Sequence, residues 1–224
     1  MILTTLPNGN TIATIEGDTH IGKWAIEGGR LDHDQNTLPL LAPLIPHGGT
    51  VVDVGAYIGD HTVFYAAQVT EAGAVFAFEP NPESFKCLAF NVRHLSQVKP
   101  LNVGASNKAH EIGLAIDTNG GATHAAGEGN IPCITIDSLN LQACHFIKLD
   151  CEGMEPLALH GARETIMTHR PSMLIEVNEG ALTRQGFNHA TIFAILKHYG
   201  YKARNIYADQ PMEGAQYDIL CLPL

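Results

Sequence analysis

The sequence predicts an α/β fold built on a mainly parallel sheet with an antiparallel C-terminal strand, plus an N-terminal β-hairpin and an inserted hairpin between the third and fourth sheet strands. Three observations carry this expectation. Short strand-like runs alternate with stretches of helical periodicity, the five core runs are mostly apolar, as buried strands are, and glycine or proline turns separate them.

Residues 2 to 15 hold two runs rich in Ile, Leu and Thr on either side of Pro7-Asn8-Gly9-Asn10, whose Asn-Gly step favours the positive φ angles of a hairpin turn. From about Asp34 to Ile45, the residues Leu38, Leu41, Leu44 and Ile45 recur at helical spacing until Gly48-Gly49 stops the helix. Thr50 to Val54 and Val75 to Phe78 are core strands, each followed by helical periodicity, which makes a β-α-β unit. Further strands are expected at Lys99 to Val103, Phe146 to Leu149 and Met173 to Val177, with helices over 83–95, 155–168 and 189–199. Pro156 suits a helix start, where its missing N–H loses no partner. Residues 104–136 break the alternation: Gly120-Gly121, Gly127 and Gly129 lie between strand-like runs at 111–116 and 131–136, the pattern of an inserted hairpin or lid over the ligand edge. Two last strands are expected at 203–207 and 217–222, joined through Asp209-Gln210-Pro211.

At 224 residues, one core with a modest appendage is expected, namely a hairpin appendage over 1–33 and a main domain over 34–224. An apolar fraction of 45% excludes a disordered chain, and no run approaches the roughly 20 apolar residues of a membrane span. The net charge of -10, without local basic clusters, argues against nucleic acid as a partner. Five cysteines without a C-x-x-C spacing read as reduced packing residues, and 12 scattered histidines suggest no metal site. The start, MILTTLPNGN, lacks the basic patch and apolar run of a secretory signal, so a cytoplasmic location is expected.

The sharpest chemical feature is Val51-Val52-Asp53-Val54-Gly55-Ala56-Tyr57-Ile58-Gly59-Asp60, a buried strand ending in a turn that opens a helix, at the edge where open α/β sheets bind ligands. Gly55 permits a sharp turn, and Gly59 permits close approach of a ligand to the backbone. Glu79, twenty residues beyond Gly59, ends the next strand, where a carboxylate can accept both hydroxyls of a ribose. Tyr57 stands where a dinucleotide fingerprint has glycine, and Asp53 adds negative charge unfavourable to phosphates but suited to the ammonium and sulfonium of S-adenosylmethionine.

These residues resemble the FkbM-type S-adenosylmethionine-dependent methyltransferases, through VVDVGAYIGDHTVFYA at 51–66, VFAFEPNPESFKCLAFNV at 75–92, LNVGAS at 101–106, ITIDSL at 134–139 and FIKLDCEGMEPLALHGA at 146–162. The resemblance covers roughly residues 38–180 and implies a Rossmann-like class I methyltransferase fold. It further implies that Asp53, Gly55, Tyr57 and Gly59 line the amino-acid end of the donor, that Glu79 holds the ribose, and that Asn81, Gly104 and Ala105 border the adenine. Gly120-Gly121-Ala122-Thr123 stands where the family has a Gly-Gly-Ser-like loop, and no role is assigned to Thr123.

A second locus is Lys148-Leu149-Asp150-Cys151-Glu152-Gly153, where a strand passes into a helix and alternation places Lys148, Asp150 and Glu152 on one side if extended geometry persists. Asp150 or Glu152 is a candidate base for an acceptor hydroxyl, with His124 of the inserted segment as the alternative; equally, Glu152 can favour a helix N-terminus while Lys148 pairs with Asp150. Glu176 and Glu179 are candidates for orienting a polyhydroxylated acceptor, or simply acids at a strand end. Trp24, the single tryptophan, reads as a core residue rather than a sugar platform. The expected activity is O-methylation of a small-molecule, sugar or glycolipid acceptor. The competing readings are a nicotinamide-dependent oxidoreductase, which keeps Glu79 but must accommodate Tyr57 and Asp53, and a non-catalytic nucleoside-binding protein.

Overall fold

The structure, a computed structural model, describes residues 1–32, 34–115 and 123–224. β1 (Ile2–Thr5) and β2 (Thr11–Thr14) pair antiparallel around Gly9, which takes φ +85 as the Asn-Gly step requires. α1 (Ile21–Gly28) follows, an element absent from the sequence expectation. Its first turn is held by Asp18, whose carboxylate accepts the N–H groups of His20 (2.8 Å) and Gly22 (2.7 Å). The long helix expected from Asp34 to Ile45 is a single turn, α2 (Leu38–Leu41), passing into a 3-10 turn over Ala42–Leu44, because Pro39 and Pro43 each lack a backbone donor.

The central sheet begins with β3 (Thr50–Val54), α3 (Asp60–Val69), β4 (Ala74–Phe78), α4 (Pro82–Asn91) and β5 (Val98–Leu101). The insertion then forms β6 (Gly104–Ala105), β7 (His110–Ile112), β8 (Leu114–Ala115), β9 (His124–Ala125) and β10 (Ile131–Ile134). In place of one hairpin, β10 pairs parallel with β6 and antiparallel with β7, while β8 pairs with β9. The main sheet resumes with β11 (Phe146–Leu149), α5 (Glu155–Gly161), α6 (Arg163–His169), β12 (Ser172–Asn178), α7 (Glu179–Arg184), α8 (His189–His198), β13 (Tyr201–Asn205) and β14 (Gln216–Pro223). The helix expected over 155–168 is thus two, parting at Ala162, where Gly161 lies against the Ser106 backbone.

Seven strands lie in the order β13-β14-β12-β11-β3-β4-β5. The five predicted core strands are parallel, and β14 runs antiparallel between β12 and β13, as expected for the C-terminal end. The period-two pattern is visible in the packing: Val52 and Val54 join the core beneath α5, α6 and α8 with Phe78 and Ile147, whereas Val51 faces α3 with Tyr65 and Phe146.

A third apolar cluster, including Leu6, Ile12, Ala25, Tyr57, Ile58 and Cys87, seats the N-terminal segment on α4 and on the turn after β3. Asn91 clamps it: Oδ1 accepts the Ala13 N–H (2.7 Å), and Nδ2 donates to the carbonyls of Ala13 (2.9 Å) and Ile58 (2.7 Å). Among the described residues, no helix is long and apolar enough to cross a membrane.

Candidate active site

Strand order reverses between β3 and β11, and a cavity of about 490 Å³ opens at the C-terminal ends of the parallel strands there. Its floor is the turn after β3. Gly55 has φ +77, and a Cβ there would lie 1.7 Å from the Asp150 carbonyl oxygen, so glycine is demanded by the contact of the two crossover loops. Tyr57 occupies the left-handed region at φ +48. Its N–H donates to Glu79 Oε2 (2.8 Å), and its hydroxyl donates to Asp18 Oδ2 (2.8 Å), which links the N-terminal segment to the site.

Glu79 is buried at the end of β4, and its other oxygen, Oε1, accepts the Asn81 N–H (2.8 Å). Burial pushes its pKa up to about 8, against the pull of the Asn81 and Tyr57 N–H bonds. Each oxygen thus has one fixed donor and a lone pair to spare, and Glu79 lines the cavity. Gly104 and Ala105 also line it, and the space a Cβ on Gly104 would occupy belongs to Cys133 Sγ, 2.7 Å away.

Three of the expected donor contacts lie outside the lining. Asp53 is fully buried in mid-sheet, where it accepts the Thr62 hydroxyl (2.6 Å) and lies 3.9 Å from Lys148 Nζ. Gly59 has φ +94, and a Cβ there would lie 3.0 Å from Leu88 Cδ1 of α4, so the left-handed backbone and the close helix packing both favour glycine. Asn81 is buried and caps α4 by accepting the Glu83 N–H (3.0 Å).

Lys148 Nζ donates to the Gly55 carbonyl (3.1 Å) and pairs with Asp150 Oδ2 (3.1 Å). Burial opposes its charge, but Asp150 and then Asp53 outweigh it and hold the ammonium protonated. Lys148 is therefore a fixed cation, unsuited to accept a proton. Asp150 and Glu152 both line the cavity, although Glu152 has φ +56 and so does not continue the extended geometry; its Oε2 accepts from Arg184 (3.2 Å).

Glu176 joins them. Gln216 donates to its Oε1 (2.6 Å), while Oε2 is buried with no partner among the described residues. Burial, then Asp150, Glu152 and Asp218, drive its pKa far upward, which keeps it a neutral acid near pH 7. Burial and Asp150 likewise raise Asp218 to about 6. Glu179 instead pairs with His189 at the start of α8.

His124 sits on β9, where its neighbours Thr123 and Ala125 line the cavity and it does not, as strand alternation dictates. Gly120, Gly121 and Ala122 lie outside the described residues. Trp24 corrects the sequence expectation: it is 45% exposed and lines the cavity with His20 and Ile21 of α1. The signals that could have found α1 were Asp18 before the apolar spacing Ile21-Ala25 and the Gly28-Gly29 stop.

The methyltransferase FkbM domain family matches residues 53–203. Hexuronic acid methyltransferase AglP of Haloferax volcanii is 29% identical over 158 residues, which are 66% of this chain and 63% of that protein, so the chain matches less than two thirds of the relative's length. Among solved structures, methyltransferase FkbM from Methylobacillus flagellatus superposes with a TM-score of 0.56 at 19% identity, over 78% of this chain and 43% of that one. A SAM-dependent methyltransferase from Aquifex aeolicus gives 0.52 at 15% identity, over 94% of this chain and 100% of the other.

Proposed function

Because the chain belongs to the FkbM methyltransferase family and has the Rossmann-like class I methyltransferase fold, we propose that it transfers a methyl group from S-adenosylmethionine to a hydroxyl oxygen of a sugar or sugar-bearing small molecule. The observation that carries this is Glu79, whose two oxygens are fixed by the N–H groups of Tyr57 and Asn81 and retain capacity for a ribose diol on the cavity wall. Gly104 and Ala105, which line the same cavity, are assigned to the adenine. Asp150 and its neighbouring acids suit the cationic end, and Asp53 adds charge only from behind, through Lys148. The alternative of a nicotinamide cofactor fits less well, since Tyr57 crowds the turn where a pyrophosphate needs bare backbone.

When bound, S-adenosylmethionine supplies an electrophilic methyl on sulfonium sulfur. The chain's part is to hold acceptor, methyl and sulfur in line and away from water. Asp150 or Glu152, both on the cavity wall, takes the acceptor's hydroxyl proton in this reading, with His124, outside the lining, as the alternative. Glu176, neutral and with one oxygen unengaged, serves as a hydrogen-bond donor to the acceptor. A sugar acceptor is supported by the hexuronic acid methyltransferase relative. The carboxyl groups of Asp60, Asp150 and Glu152 on the wall favour an uncharged hydroxyl as the methylated atom and disfavour a polyanion such as nucleic acid. A cytoplasmic location completes this reading, supported by five free thiols.

Calorimetry with S-adenosylhomocysteine and with NADH, followed by donor-dependent mass gain in a sugar panel, tests it. Binding of S-adenosylhomocysteine alone, with one methyl added per acceptor, is expected; NADH binding without S-adenosylhomocysteine binding would overturn it.

A further inference from the structure

Trp24 is the chain's single tryptophan, exposed on α1 with its ring edge-on to His20 at 5.6 Å. Beside the main cavity lies a second, more open one of about 390 Å³. The two share Ile21, Trp24, Asp60 and His61, and beyond these the second is lined, among the described residues, by Asp34, Gln35 and Asn36. They are therefore two ends of one groove with the indole at the divide. His61 lies there, its Nε2 3.9 Å from Asp34 and 4.0 Å from Asp60.

An exposed indole flanked by carboxylate, amide and imidazole groups has the chemistry a pyranose needs. The apolar C–H face of the sugar packs on the ring at little entropic cost, since the indole is rigid, and the hydroxyl rim finds planar polar partners at the edge. The main cavity alone has to take donor and reacting sugar, so the second space is available to a further unit. Among the described residues the lining is acidic at both ends, with Asp34 and Asp60 in the second cavity and Asp60, Asp150 and Glu152 in the main one, which favours uncharged sugars over uronates.

We propose that Trp24 is the stacking platform of a two-unit saccharide groove, in which the sugar to be methylated occupies the main cavity and its neighbour lies over Asp34, Gln35 and Asn36. The acceptor is then an oligosaccharide or glycoconjugate rather than a free monosaccharide. This rests on the sugar-methylating reading above and names its substrate class.

Because Trp24 is the sole indole, its emission reports directly on the groove. The probes are neutral methyl hexosides of gluco, galacto and manno configuration and the corresponding dihexosides, titrated with S-adenosylhomocysteine present and, in parallel, absent. At least one dihexoside is expected to shift the emission saturably, with Kd roughly tenfold or more below that of its monohexoside, a gap of about 1.4 kcal/mol. By calorimetry, Trp24→Ala should lose most of that affinity while S-adenosylhomocysteine binds as before, Trp24→Phe should recover part of it, and Asn36→Ala should narrow the gap without changing the monohexoside Kd. No saturable shift with any dihexoside, or equal affinity for one and two units, overturns the groove even if S-adenosylhomocysteine binds. A dihexoside response in a protein that does not bind S-adenosylhomocysteine leaves the groove standing and removes the methyl-transfer reading instead.

Discussion

Glu79 shows how much one buried carboxylate can decide. Replacing it by Gln puts an amide N–H against the N–H of Tyr57 or Asn81, so one donor loses its partner. Glu79→Gln should weaken S-adenosylhomocysteine binding at least about tenfold, the equivalent of one charge-assisted hydrogen bond, and the unpaired donor should cost about 1–3 kcal/mol of stability in urea unfolding. Since burial places the free protein's Glu79 near 8, affinity should rise as pH rises through that value and binding should release a proton, which titrations in buffers of different ionisation heat will detect. At the proton-accepting side, Asp150→Asn and Glu152→Gln should lower kcat by about 10² or more at saturating donor, and His124→Asn by less than about threefold; equal, unchanged rates in all three would remove the base. The place of Glu79 on the cavity wall was legible in the sequence because it is spaced from a glycine turn. What fills the space beside Gly59 and Asp53, namely Leu88 and Lys148, was not, because it comes from elements remote in sequence.

At the scale of elements, the strands of the main sheet were legible, whereas the short helices and the two-residue strands of the insertion were not. Apolar runs such as Val75 to Phe78 have no other comfortable place than a sheet covered on both faces. α1 and α7 have 8 and 6 residues, too few for periodicity to separate them from loops, and they depend on local side chains, Asp18 and the Asn178 cap that accepts the Ala181 N–H (3.1 Å). The hairpin was foreseen but its attachment was not, since Asn91 reaches Ala13 across 78 residues of chain. Asn91→Ala strands two buried backbone groups of Ala13 and one of Ile58, so a loss of about 3 kcal/mol in urea unfolding is expected. A loss below about 0.5 kcal/mol would show that the hairpin is not clamped there.

For the whole molecule, the buried acids set the pH response of stability. Glu79 at about 8 and Asp218 at about 6 stay protonated in the folded chain over a range where the unfolded chain has already released those protons. With more protons bound folded than unfolded, stability is fullest below about pH 4.5, as far as these groups are concerned, and is lost as pH rises through 6 and then 8. The ligand-free protein should therefore melt several degrees lower at pH 8.5 than at pH 5.5, and scanning calorimetry should see the difference shrink once S-adenosylhomocysteine is bound. The contact between Gly55 and the Asp150 carbonyl has a last consequence. Nothing can be inserted between those two bends, so the heart of the pocket is a frozen hinge-less seam that natural variation must leave alone, and any drift toward a new substrate has to be written into the mantle around it, the first thirty-odd residues and the stretch between β5 and β11.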